Sequence, residues 1–158
     1  MSISITRFPR FKLALLVFRD LIGAPEMLAF FRGGAAEREV ETRWLTYIDA
    51  GADLSQLDLM SITELKRVID RRQRERAWNE TFRTAIVSSS RRNDPMVNLW
   101  KGYVGRDPDH LCKPVAFSSL EGAFVYLALP AEAREAVSRT AGLDVASARA
   151  RGASRSLP

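Results

Sequence analysis

Cysteine and histidine each occur once, as Cys112 and His110, in a chain of 158 residues. A single cysteine excludes an intramolecular disulfide and suits a reducing compartment such as the cytoplasm. One cysteine and one histidine cannot close a tetrahedral zinc shell without carboxylates or a second chain. Ser-His-Asp chemistry would have only one candidate base. Long apolar runs are also missing. The Leu13–Phe18 run is followed at once by Arg19 and Asp20, which stops it far short of the ~20 apolar residues that cross a bilayer and where a signal peptide would place small residues. Charge of one sign is scarce: 24 Lys and Arg face 19 Asp and Glu, for a net charge of +5. The surplus sits on one stretch, Met60–Trp78, and in the Arg-containing tail 131–158. A nucleic-acid groove would need a broader basic stripe with aromatics set into it. The expectations are therefore no nucleic-acid partner, no stable membrane insertion, no metal and no other cofactor.

What is present is a globular composition, 46% apolar and 27% charged, with enough length for one core. Ser2–Thr6 alternates as an edge strand does, and Lys12–Phe18, apolar on both faces, reads as a central strand in a hairpin with it. Pro25 suits the first turn of a helix that carries Met27, Leu28 and Phe31 and stops at Gly33-Gly34. Ala35–Thr42, with three glutamates, reads as a solvated connection. Trp44–Ile48 is the next strand. After the Ala50–Asp58 loop, Ile62, Leu65, Val68 and Ile69 recur at helical spacing, continued by Arg72 and Arg76. Thr84–Val87 is a short buried strand, and Pro95 opens a helix whose stripe is Met96, Trp100, Tyr103 and Val104. Val115–Phe117 gives a last strand and Leu120 starts a helix, with one more helix in Pro130–Thr140. The tail from Ala141 reads as unstructured, so the expected division is a domain over 1–130 and a short helix with a basic tail over 131–158. The order β-β-α-β-α-β-α-β-α predicts an α/β fold: a mixed, mostly parallel sheet of about five strands with helices packed on it.

Leu45-Thr46-Tyr47-Ile48-Asp49 leading to Asp53-Leu54-Ser55 and Leu57-Asp58-Leu59 resembles the strand and loop of the STAS-like, or SpoIIAA-like, domains of bacteria, the anti-sigma-factor-antagonist family. Thr84–Ser88 resembles the family's next strand, and Val115–Ala123, with Leu120-Glu121-Gly122-Ala123, its closing segment. The resemblance spans roughly Lys12–Leu129. It implies the SpoIIAA-like fold and a non-enzymatic, protein-binding role in a cytoplasmic regulatory module. Phosphoswitch members place a serine directly after an aspartate at the start of the helix that follows this strand. Here Asp58 is followed by Leu59, with Ser55 and Ser61 each three positions away.

Four places bear chemistry. In the loop with Asp49, Ser55, Asp58 and Ser61, a serine could accept phosphate at a helix amino terminus; alternatively Ser61 or Asp58 caps the helix, with Glu64 completing a capping box. Ser88, Ser89, Ser90, Arg91 and Arg92, at a strand's carboxyl end, could hold an anion, or form a solvated turn before a capping Asn93. Asp107, Asp109, His110 and Cys112 have metal-ligand chemistry at a spacing that matches no common site. Lys66, Arg67, Arg71 and Arg74 on the outer face of the long helix could meet an acidic partner or anionic lipid, or form a solvated face supported by Glu64 and Asp70 at helical spacing. Trp44 and Trp100 read as core residues and Trp78 as exposed. The expected role is docking of another protein against the loops at the strand carboxyl ends and the Met60–Trp78 helix. The alternative is a small ligand or lipid held beneath Phe30, Phe31 and Trp100, as in the related CRAL-TRIO type fold.

Overall fold

The computed structural model describes residues 2–33, 41–76, 82–110 and 113–142. Five strands form one sheet in the order of the chain: β1 (Ile3–Phe8), β2 (Leu13–Phe18), β3 (Arg43–Ile48), β4 (Arg83–Ser88) and β5 (Pro114–Phe117). β1 and β2 form the expected antiparallel hairpin, and β2 through β5 are parallel. The hairpin turns through Pro9–Phe11 and a left-handed Lys12 with φ of 49°. The helices are α1 (Ala24–Arg32), α2 (Leu59–Arg76), α3 (Asp94–Gly105), α4 (Leu120–Tyr126) and α5 (Ala131–Thr140).

Each crossover helix joins neighbouring strands and each step moves the same way across the sheet. Right-handed crossovers advancing in one direction place their helices on one face. The core divides accordingly. On one face Ala14, Leu16, Phe18, Trp44, Ile48 and Ile86 pack against Met27 and Phe31 of α1, Leu65 of α2 and Val97 of α3. The alternate residues of the same strands, Leu13, Leu15, Val17, Leu45, Tyr47, Ala85 and Val87, pack against α4 and α5. Strand β2, covered on both faces, is therefore buried at every position. Helix α5, which the sequence sets apart after residue 130, buries Ala133 and Val137 against this second face.

Local chemistry explains the helix ends. α1 carries Pro25 in its first turn and ends at Gly33, whose N–H reaches Ala29 O. α4 ends in a Schellman motif: Leu129 N–H donates to Phe124 O, Ala128 N–H donates to Val125 O, and Ala128 takes the left-handed conformation with φ of 51°. Glycine is the usual occupant of that position.

One expectation is corrected. Glu41, placed by the sequence in a solvated connection, is 5% exposed and forms an ion pair with Arg7 of β1 at 2.8 Å. Thr42 N–H then donates to Lys12 O, so this end of the connection is built into the sheet at the amino ends of β2 and β3. Residues 34–40, Trp78, Cys112 and the tail from 143 lie outside the described residues.

Candidate functional site

Parallel strands that end together place their following loops on one rim. Here the β3–α2 loop and the β4–α3 turn meet there, so two regions that the sequence separates become one site. Asn93 joins them. Its side chain is 2% exposed, accepts from Leu54 N at 3.0 Å and donates to Ala52 O at 2.9 Å. The sequence suggests that Asn93 caps α3, but its side chain makes no cap bond and instead secures the loop from below. A third segment, following β2, closes the rim: Ile22 N donates to Asp53 O and Asp53 N to Asp20 O, with a bridge between Leu21 and Asp53.

The acidic and hydroxyl groups of the β3–α2 loop are used locally. Asp49 Oδ2 accepts from Gly51 N at 3.2 Å, and Asp53 Oδ1 accepts from Ser55 N at 2.9 Å. Asp58 is the cap of α2. Its Oδ1 accepts from Ser61 N at 2.8 Å and from Ser61 Oγ–H at 2.7 Å. The capping box is thus Asp58 with Ser61, not Ser61 with Glu64. Glu64 instead pairs with Arg32 of α1 at 2.7 Å and with Arg67. The Ser61 hydroxyl beside Asp58 holds that carboxyl below the ordinary aspartate range. Ser55 does the same for Asp53, with the Arg92 charge across the rim adding a smaller effect.

The β4–α3 turn has the residue types of an anion site, but its hydroxyls are engaged. Ser88 Oγ–H donates to Ser90 O and Ser89 Oγ–H to Ile48 O, each at 2.9 Å, while Ser90 Oγ accepts from Arg92 N. Their bonds shape the turn and fasten it to the end of β3. Arg91 and Arg92 extend into solvent.

Among these polar groups the rim also exposes three large apolar side chains. Leu21 is 50% exposed, Leu59 56% and Met60 81%. Leu21 lies on the segment bridged to Asp53, and Leu59 and Met60 open α2. Along α2, Arg67, Arg71 and Arg74 are exposed as expected. Lys66 is not: its side chain is 12% exposed, and its Nζ bridges Asp70 at 2.7 Å and Asp107 of the α3–β5 link.

That bridge belongs to a polar latch missed by the sequence reading. His110, 1% exposed, places Nδ1 2.7 Å from Asp70 Oδ1. The carboxylate can only accept, so Nδ1 carries the proton. His110 Nε2 is buried without a hydrogen-bond partner. Burial pushes the His110 pKa below its ordinary value against the opposing pull of Asp70. Burial also acts to lower Lys66, but its bonds to Asp107 and Asp70 outweigh this and leave it raised. The Lys66 ammonium lowers Asp107. Asp107 and His110, set beside Asp109 and Cys112 in the sequence as metal-ligand types, thus fasten the α3–β5 link to α2. Among the described residues no three His, Cys, Asp or Glu side chains group to hold a metal.

Between the sheet and α1–α3 lies a cavity of about 120 Å³, walled by residues that include Leu16, Phe31, Trp44, Leu65, Ile86 and Trp100. Phe31 and Trp100 line it as the pocket reading expects. Phe30 stands behind Phe31 in an edge contact at 5.2 Å. Trp100 in turn meets His110 edge-on at 5.9 Å. Among the described residues no helix is long and apolar enough to cross a membrane. No protein-family model, curated protein or solved structure matches this chain.

Proposed function

We propose that this protein is a non-enzymatic interaction module that docks another protein on the rim at the strand carboxyl ends. The observation that carries the reading is the exposure of Leu21, on the segment bridged to Asp53, and of Leu59 and Met60, which open α2 just after the loop that buried Asn93 holds at Ala52 and Leu54. Apolar side chains on a fixed scaffold are suited to anchor a partner, because little ordering entropy remains to be lost on binding. Arg67, Arg71 and Arg74 extend the contact along α2. The strand and helix order supports the resemblance to the STAS-like group, and with it a regulatory role in the cytoplasm. A non-enzymatic role is supported by the occupation of the acidic groups: Asp49, Asp53 and Asp58 accept bonds from their own loop, and His110 is enclosed.

The test is quantitative copurification from the native host at endogenous expression. The triple variant Leu21→Ser, Leu59→Ser, Met60→Ser should lose a partner that the wild type retains in fixed stoichiometry, with its melting temperature unchanged. Equal recovery with both proteins, or no stoichiometric partner with either, would contradict the proposal.

A further inference from the structure

We infer that the cavity between the sheet and α1–α3, which reaches under the rim at Leu54 and Leu57, is a binding site for a small, uncharged, single-ring aromatic molecule. Its volume, about 120 Å³, is large for a protein interior, where few voids exceed a water molecule. It is well below the ~300–1,000 Å³ of clefts that take drug-sized ligands. An apolar void of ~150 Å³ is known to stay dry and to admit benzene or xenon. The cavity is partly open to solvent, and its inner space is of the size that a single ring fills.

The walls select the chemistry. Phe31, Trp44 and Trp100 give aromatic surface on separate elements, with Leu16, Leu65 and Ile86 among the aliphatic residues between them. Aromatic rings offer both edge and face contacts to an aromatic guest. The polar side chains on the wall are Thr46, Thr84 and Arg72. Thr84 Oγ1 is shut off from solvent and has no hydrogen-bond partner, and Arg72 Nη2 donates to Gly33 O at 3.2 Å. A water needs two to four polar partners to be held in such a space, and the wall offers three polar side chains, of which Arg72 already donates to Gly33 O. An apolar guest would recover the dispersion contacts that the lining otherwise lacks. A carboxylate guest would have to be desolvated among mostly apolar walls. Thr46 and Thr84, on β3 and β4, retain partial exposure although they lie on the face covered by α1–α3. This places the cavity directly over the middle of the sheet.

The experiment is an NMR titration of the full chain with toluene, read at the indole N–H resonances of Trp44 and Trp100, with sodium benzoate and decanoate as comparison probes. The expected result is a saturable shift of both resonances with toluene and none with benzoate or decanoate at equal concentration. Thr46→Leu, which adds bulk to the cavity wall, should weaken toluene binding by about tenfold or more, whereas Val125→Thr on the exposed surface of α4 should leave it unchanged. Xenon titration of the wild type gives the same reading without any substitution, and it should shift the same two resonances. Absence of a saturable shift with both toluene and xenon would overturn the inference. So would undiminished toluene binding in a folded Thr46→Leu protein, or tighter binding of decanoate or benzoate than of toluene. The titration reads a small ligand and the copurification reads a protein partner, so the two proposals fail separately.

Discussion

Asn93→Ala should be among the most damaging single-atom-group deletions on the rim. The amide accepts from Leu54 N at 3.0 Å and donates to Ala52 O at 2.9 Å, in a position 2% exposed. Truncation leaves one backbone donor and one backbone acceptor buried without partners. Each unsatisfied group costs about 1–3 kcal/mol, so the pair should cost about 3 kcal/mol. For a domain of this size 1 kcal/mol moves the melting temperature by about 2–4 °C, which places the drop near 10 °C. Asn93→Asp should be at least as harmful: it keeps the acceptor for Leu54 N but sets a carboxylate oxygen against Ala52 O. Urea denaturation followed by far-UV circular dichroism gives the values, with an unchanged slope showing that the midpoint alone has moved. A loss below about 1 kcal/mol for Asn93→Ala, or an Asn93→Asp protein as stable as wild type, would refute the keystone assignment.

Other outcomes follow from single sites. Ala128→Gly should stabilise by about 1 kcal/mol, because the Schellman position with φ of 51° strains any side chain; a lower melting temperature would contradict this. Thr84→Val should also stabilise by about 1 kcal/mol by removing a buried hydroxyl that has no partner, and a destabilised variant in chemical denaturation would show that the hydroxyl is satisfied. Burial lowers the His110 pKa, so the folded state holds fewer protons than the unfolded one just below the ordinary histidine value of 6.5. That contribution is complete above about pH 6.5 and declines as pH falls towards the folded value. The groups facing the ring are Asp70, Lys66, Asp107 and Trp100. Asp107, Asp53 and Asp58 are lowered from 3.8, so their contributions are lost only at more acidic pH. Melting temperature should therefore fall between pH 7 and pH 5.5 in the wild type and stay nearly flat in His110→Gln; parallel curves would sink this reading.

The sheet was legible because hydrophobic pattern determines burial directly. Leu13–Phe18, apolar at every position, could only be a strand covered on both sides, and the glycine and proline punctuation marked the helix ends. Polar side chains whose partners lie far along the chain were less legible. Lys66 and Asp70 read as an ordinary surface pair at helical spacing, since nothing in α2 announces Asp107, 41 residues away, as a second anion. Glu41 looked solvated because Arg7 belongs to another strand. Asn93 sits where a cap is expected, and only the loop packed above it shows that its amide serves Leu54 and Ala52. The cap itself was half legible: both Asp58 and Ser61 were candidates, but the pull of Arg32 on Glu64 decides between the two boxes. A signal for His110 did exist. A lone histidine four residues after the turn-forming Gly105-Arg106 segment, preceded by Asp107, has the chemistry to meet a helix bearing Lys66 and Asp70.

The rim is the centre of the functional reading, and site-specific photo-crosslinking in the native host tests it most directly. A benzophenone side chain at position 60 should give one discrete adduct whose yield collapses when Leu21 and Leu59 are replaced by serine. The same group at position 125, also exposed but on α4, should give none. No adduct at position 60, or an identical pattern from position 125, would contradict docking on this rim.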